Sequence, residues 1–407
     1  MNQPNEPTHS ASDNTAWEEA MSRDFDARVR DLHEAPLDFT SVKGKANRIK
    51  RNRRAAVAGG ILGVAAVVTP VAVLSNGGDT DSEQPPFVGD PTDSETIADP
   101  ATPALDYLSG GAWHQADDDV VRLPDNSQPY DAAVLWNDLL VATRWDGEVY
   151  SVADVIDDEG NVVDSFETVS SVVVNESGST IAWIDTDGNV MTAWDGDEAS
   201  IGTVDLTAAG ETIAYSGVAI TGGPSCAEEE EGACVVYVNS GLGDESRAFS
   251  SDGTDDIVAP GVTKVFDATD SGTVSVINEV TDDLNTCGGP FDLDEGALRW
   301  STCDYQVQQI SPDGRYVAAP QTQYDGLGPT SLSVLDARTE EETGRYGAEG
   351  GFIRTWAWTI DGQLLFDAYD GANWHLYSMA PDGGAITEVG DPVGGGDVDS
   401  PYTLIQH

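Results

Sequence analysis

From residue 79 onward this 407-residue chain has very little positive charge: nine basic residues stand against 63 acids, and Lys264 is the only lysine. A field of that sign repels phosphate backbones and anionic lipid, which excludes nucleic acid as a partner of this part and disfavours a lipid surface. It suits cations and basic partners, though acidity alone does no more than keep a domain solvated. Residues 1–54 differ, with 9 acids and 10 bases. Histidine is also scarce, and the large part holds only His114, His375 and His407, two of which lie near expected strands and read as surface or rim residues. No GxSxG elbow, HExxH pair or glycine-rich phosphate loop occurs, so the usual serine-hydrolase, zinc-protease and phosphate-loop signatures are missing. Acids are so abundant that a glycosidase-type pair cannot be chosen without geometry.

Long apolar runs are missing too, with one exception. Ala55 to Leu74 is a stretch of 20 residues without a charge. As a helix it would span about 30 Å, the thickness of a hydrocarbon core. Lys43, Lys45, Arg48, Lys50, Arg51, Arg53 and Arg54 precede it with no acid among them, and Asp79 and Asp81 follow. Basic flanks resist translocation, so the pattern predicts a single-pass transmembrane helix over 55–74, N-terminus cytoplasmic and C-terminal part extracytoplasmic. A leader of 54 residues is too long for a cleaved signal peptide.

Cysteine is limited to Cys226, Cys234, Cys287 and Cys303, all beyond that run. Four cysteines allow three pairings; proximity favours Cys226 with Cys234 and Cys287 with Cys303. No CxxC spacing supports zinc, so structural disulfides in an oxidising exterior are the expected reading. Residues 1–54 contain one patterned segment. Thr15 and Glu18 have capping-box spacing, and Trp17, Met21, Phe25, Val29 and Leu32 then recur on one helical face. An amphipathic helix over 15–33 is predicted, its apolar stripe suited to a cytoplasmic protein partner. Residues 75–104 are polar, acidic and proline-bearing, the composition of a disordered linker.

Across 105–407 no long amphipathic helix is evident, while short β-branched and aromatic runs alternate with turns. All nine Asp-Gly pairs of the chain lie beyond residue 145, and Asp-Gly suits tight hairpins. Six segments repeat a strand, a small polar turn and a second apolar strand: 134–145, 173–184, 206–217, 266–277, 309–320 and 357–368. Their turn positions Asp138, Gly178, Gly210, Gly272, Gly314 and Gly362 are spaced by 40, 32, 62, 42 and 48. Periods near 40 residues are those of propeller blades, so an all-β propeller is expected. SPDGRYVAAP, followed by SLSVLDARTEEE, resembles the repeat of TolB-like and WD-type β-propellers, and IDGQLLFDA with NWHLYSMAPDGG resembles another copy. The layout of basic segment, anchor, acidic linker and propeller is similar to actinobacterial single-pass propeller proteins. Strand-like segments at 105–125 and 398–406 predict one blade shared by both chain ends, making seven blades, with six as the alternative.

The expected function is a non-enzymatic extracytoplasmic module that binds or scaffolds a protein, peptide or glycan. The alternative is a surface-tethered hydrolase or lyase using carboxylates in the propeller channel. No cofactor is expected. Asp185-Thr-Asp187-Gly-Asn189 has the alternating oxygens of a calcium loop. Its glycine comes too early for an EF-hand, so a hairpin turn is preferred, with calcium as the alternative. Trp183, Trp356 and Trp358 read as core, Trp145 and Trp194 as surface.

Overall fold

The structure, a computed structural model, describes residues 106–407 apart from 117–118, 127, 147–149, 209–210, 213–215, 225, 227–233, 241–244, 282–284, 325 and 383. The expected N-terminal helix, basic stretch, apolar run and linker lie outside these residues. Among the described residues no helix is long and apolar enough to cross a membrane.

Local chemistry makes hairpins. Asn175, Thr269, Ser311 and Thr359 each stand three residues before a turn glycine, and each accepts that glycine's amide on its own carbonyl, at 2.9, 3.0, 2.8 and 2.9 Å. Their side chains close the turn a second time: Ser311 Oγ accepts the Tyr316 amide at 3.0 Å, and Asn175 Oδ1 accepts the Thr180 amide at 3.0 Å. Gly272 and Gly314 adopt φ of 81° and 69° in these turns, where a Cβ would strain the backbone.

The strands that follow such turns are mostly apolar and buried, because they are covered on both faces. Thr180–Ile184 and Tyr316–Pro320 are buried at every position, whereas the outer strand Asp255–Ile257 is exposed at every position. Sheets of four antiparallel strands in chain order result: Val173–Val174 to Asp197–Thr203, Ser216–Thr221 to Asp255–Ile257, Lys264–Ala268 to Ala297–Leu298, and Gln309–Ile310 to Glu342–Gly347. Phe352–Trp358 to Ile386–Glu388 forms another, with Val393–Gly394 added to Asn373–Met379.

The largest sheet has eight strands and contains both ends of the described chain. Tyr402–Gln406 pairs antiparallel with Tyr107–Ser109, which continues to Ala112–His114 and Val120–Arg122. On its other side it runs parallel to Tyr130–Trp136, with Ile405 opposite Ala133. That strand opens its own four-stranded group, ending at Val162–Thr168.

Apolar clusters bind consecutive sheets face to face. Leu332 and Val334 pack with Trp356, Trp358 and Phe366, and Ala182 and Ile184 pack with Val236 and Phe249. Ala357 and Leu365 pack with Tyr402 and Leu404, and Leu108 and Trp113 with Leu140 and Ile405, so the seams return to the starting sheet. The contact is close enough at Gly202 that an added Cβ would fall 2.3 Å from the Phe249 ring. The fold is an all-β propeller.

One expected repeat is corrected. In 206–217, Thr207–Ala208 and Glu211–Thr212 pair only with each other, outside the four-stranded sheets. Thr207 and Gly210 have the turn spacing of the true copies, but that spacing marks any hairpin. The inner hairpin of that region is Ser216–Thr221 with Val235–Asn239, which lacks the turn signature because its connection holds the Cys226–Cys234 disulfide.

Ile405→Ala in the closing strand should cost about 2–5 kcal/mol, while Val163→Ala, 56% exposed, should change stability by about 0.5 kcal/mol or less; denaturant unfolding of both variants compares them. Replacing Cys226 and Cys234 by serine should cost about 2–3 kcal/mol through loop entropy in the unfolded chain. A midpoint equal to that of the parent protein in the same unfolding experiment would contradict that expectation.

Candidate binding channel

The first strand of each four-stranded group, together with Tyr402–Gln406, faces a central cavity of about 260 Å³. Four innermost strands are bulged, between Tyr130 and Ala132, Ser216 and Val218, Val265 and Asp267, and Ile353 and Trp356. A bulge frees a residue from the ladder and re-aims its side chain. Asp131, Phe266, Arg354 and Thr355 are placed by these bulges, and all four line the cavity. Lys264 and Arg354 each stand eight residues before the turn glycine of their hairpin, Gly272 and Gly362. They therefore sit at equivalent depths on strands that flank Gln309–Ile310.

The lining charges are unequally served. Asp267 is tied down: its Oδ1 accepts the Ala268 amide and its Oδ2 the Ile310 amide, both at 2.8 Å. Burial outweighs those two donors, and with the nearby Glu176 charge it pushes the carboxyl up to about 7. Glu176 Oε2 accepts the Asp270 amide at 3.1 Å. Asp131 is open to the channel but surrounded by protein. That burial raises it to about 6 despite the lowering effect of its own amide and Thr143.

Lys264 is only 8% exposed, and its ammonium lies 4.8 Å from the centre of the Phe266 ring. Among the described residues it makes no hydrogen bond or ion pair, and desolvation lowers its pKa to about 8. Arg354, half-buried, is also in no ion pair among them, although its charge reaches the buried Asp367 and lowers that carboxyl against the rise that burial causes. By contrast Arg144 meets Asp154 at 2.9 Å and Arg299 meets Asp292 at 3.0 Å, both away from the channel. Gln309 adds a buried side-chain oxygen without a donor.

The other expected residues are scattered. Cys226 bonds Cys234 and Cys287 bonds Cys303, with Cα separations of 5.0 and 4.2 Å, so both neighbouring pairs are joined. Trp183, Trp356 and Trp358 are buried, and the last two also border the channel. Trp145 and Trp194 are half-buried rather than surface residues; Trp194 packs against the cluster containing Val190 and Phe249, because strand ends here are covered by the next sheet. The 185–189 segment is a hairpin turn whose Asp185 carboxylate accepts the Asp187 and Asn189 amides at 2.9 and 2.8 Å. Among the described residues no group of three His, Cys, Asp or Glu side chains is arranged to hold a metal ion.

His114 stacks on Tyr107 at 4.6 Å. His375 stands between Glu388 at 2.5 Å and Asp370 at 3.1 Å; burial opposes its charge, but the two carboxylates prevail and raise its pKa. His407 borders the channel, beyond the closing strand, where burial lowers its pKa. Its place there depends on ring closure, which no motif around it announces. The apolar helix face of Trp17, Met21, Phe25, Val29 and Leu32 and the basic residues 43–54 lie outside the described residues.

No family model matches this chain, and no curated protein sequence does. Solved structures similar to it include the β-propeller domain of Cps50 (Swd1) from Myceliophteria thermophila, at 9% identity and TM-score 0.45, covering 69% of this chain and 91% of that one. The RRP9 WD40 repeats are 9% identical at TM-score 0.45, covering 67% and 83%, and the Dos1 propeller 12% identical at 0.45, covering 70% and 80%. At such values the order of the sheets, not the likeness, is the ground for the fold.

The raised Asp267 makes stability depend on pH. Its unfolded value is near 3.8 and its folded value about 7, so between these pH values the folded chain holds a proton that the unfolded chain has lost. Its contribution is fullest below about pH 4 and is lost as pH rises through 7. Asp267→Asn should therefore lose less stability than the parent between pH 5 and pH 7.5 in denaturant unfolding. Equal losses would place the titration elsewhere.

Proposed function

We propose that this chain is a single-pass membrane protein whose extracytoplasmic propeller, residues 105–407, is a non-enzymatic binding module, with a cytoplasmic protein partner at the 15–33 helix. The anchor reading draws on the uncharged run 55–74 behind seven bases. Two disulfides are consistent with an oxidising exterior. Seven innermost strands border one cavity, which supports seven blades over six.

The observation behind the binding reading is the state of the channel acids. All three, Asp267, Glu176 and Asp131, are engaged by backbone amides, Asp131 also by Thr143, so each serves to hold the innermost strands. A glycosidase needs two carboxyl groups placed for acid–base work, about 5–10 Å apart. A closed ring of sheets around an open-mouthed cavity is instead suited to holding a ligand or presenting its faces to one.

Carbonate washing of membranes tests the anchor: the full chain should stay in the pellet, and deletion of 55–74 should release it. Release of the intact chain would end the anchor reading. Removing residues 1–35 should abolish co-purification of a cytoplasmic protein without moving the thermal transition of the propeller. If nothing co-purifies with the full chain, the cytoplasmic partner is withdrawn.

A further inference from the structure

Of the nine bases beyond residue 79, Arg144, Arg247, Arg299 and Arg345 stand in ion pairs. Arg122, Arg315, Arg338, Lys264 and Arg354 are in no ion pair among the described residues, and of these five only Lys264 and Arg354 line the cavity. Burial raises the Asp367 carboxyl and the nearby Arg354 charge lowers it, but the two form no ion pair, while Lys264 has no carboxylate acting on it. Lys264 is more than nine-tenths buried. A charge taken from water without a partner is costly. The Phe266 ring, 4.8 Å away, offsets part of that cost. A ring face supplies no acceptor for three N–H donors, however, so packing against Phe266 leaves the ammonium's hydrogen-bonding capacity unused. Arg354 brings a guanidinium fork, the geometry that recognises planar carboxylates.

We propose that the channel binds a small carboxylate-bearing molecule, its anionic group held by Lys264 and Arg354 from either side of the strand Gln309–Ile310. This rests on the reading of the propeller as a binding module, but not on the membrane anchor. The cavity of about 260 Å³ is small for a ligand site, which selects a compact molecule over a chain. The orphan oxygen of Gln309 suits a ligand that also carries a hydroxyl or amine donor. The surrounding negative field keeps anions away in general, so binding depends on these two cations.

Lys264 also reports on its own occupancy, being the only lysine beyond residue 79. The full chain would be treated with an amine-acylating reagent, and modification of Lys264 read by mass spectrometry with acetate, succinate, malate or citrate present, and with succinamide as the neutral control. Saturable protection by at least one carboxylate and none by succinamide is expected. Calorimetry with the protecting acid should show affinity falling about tenfold or more in Lys264→Met and in Arg354→Met. Arg247→Met, which removes a surface pair with Asp255, should bind as the parent does. Absence of protection by all four acids, equal protection by succinamide, or equal weakening in Arg247→Met would overturn the proposal. If it falls while the propeller still retains a protein partner in pull-down, the binding-module reading survives.

Discussion

Everything in this propeller depends on the pairing of Tyr402–Gln406 between Tyr107–Ser109 and Tyr130–Trp136. Without it both groups would present open edges, and an exposed edge pairs with other chains. Side chains secure the join. Thr403 Oγ1 donates to the Tyr130 carbonyl at 2.9 Å, and Ser400 donates to the buried Asp367 just before the strand begins. Asp367 also accepts the Thr355 amide at 2.6 Å, so the closing segment is tied to the preceding sheet as well. One strand of five residues thus converts a row of sheets into a ring.

The ring defines the channel, and its chemistry follows from closure. Bulges in four innermost strands re-aim residues toward the axis, and Asp131, Phe266, Arg354 and Thr355 line the cavity in this way. The result is a lining that keeps Asp131, Lys264 and Arg354 apart rather than paired. Elsewhere Arg144, Arg247, Arg299 and Arg345 are neutralised locally. The Asp154 carboxylate receives Arg144, the Tyr130 hydroxyl at 2.9 Å and Ser165 at 2.7 Å, a network that stiffens one blade.

Much of the fold was legible because it is local. A Ser, Thr or Asn three residues before glycine closes its own turn, and an apolar run after it has one face for each neighbouring sheet. Cys226 with Cys234 and Cys287 with Cys303 were favoured by proximity for the same reason. The 206–217 segment marks the limit. It has the turn chemistry, but hairpin formation does not decide which sheet a hairpin joins. The hairpin of Ser216–Thr221 and Val235–Asn239 was missed because its turn is replaced by a long disulfide-closed connection.

The amino-acid sequence by itself determined the strand class, the turns, the charge imbalance and the strong orientation signal around 55–74. These are properties of neighbouring residues and composition. Only the tertiary structure brought Asp131, Lys264, Arg354 and His407, drawn from positions 131 to 407, to one cavity. Their approach is set by sheet order, bulges and the final strand, which are long-range pairings that no local pattern encodes. Sequence marked Lys264 as the only lysine beyond residue 79; burial without a counter-charge is what makes it chemically distinctive.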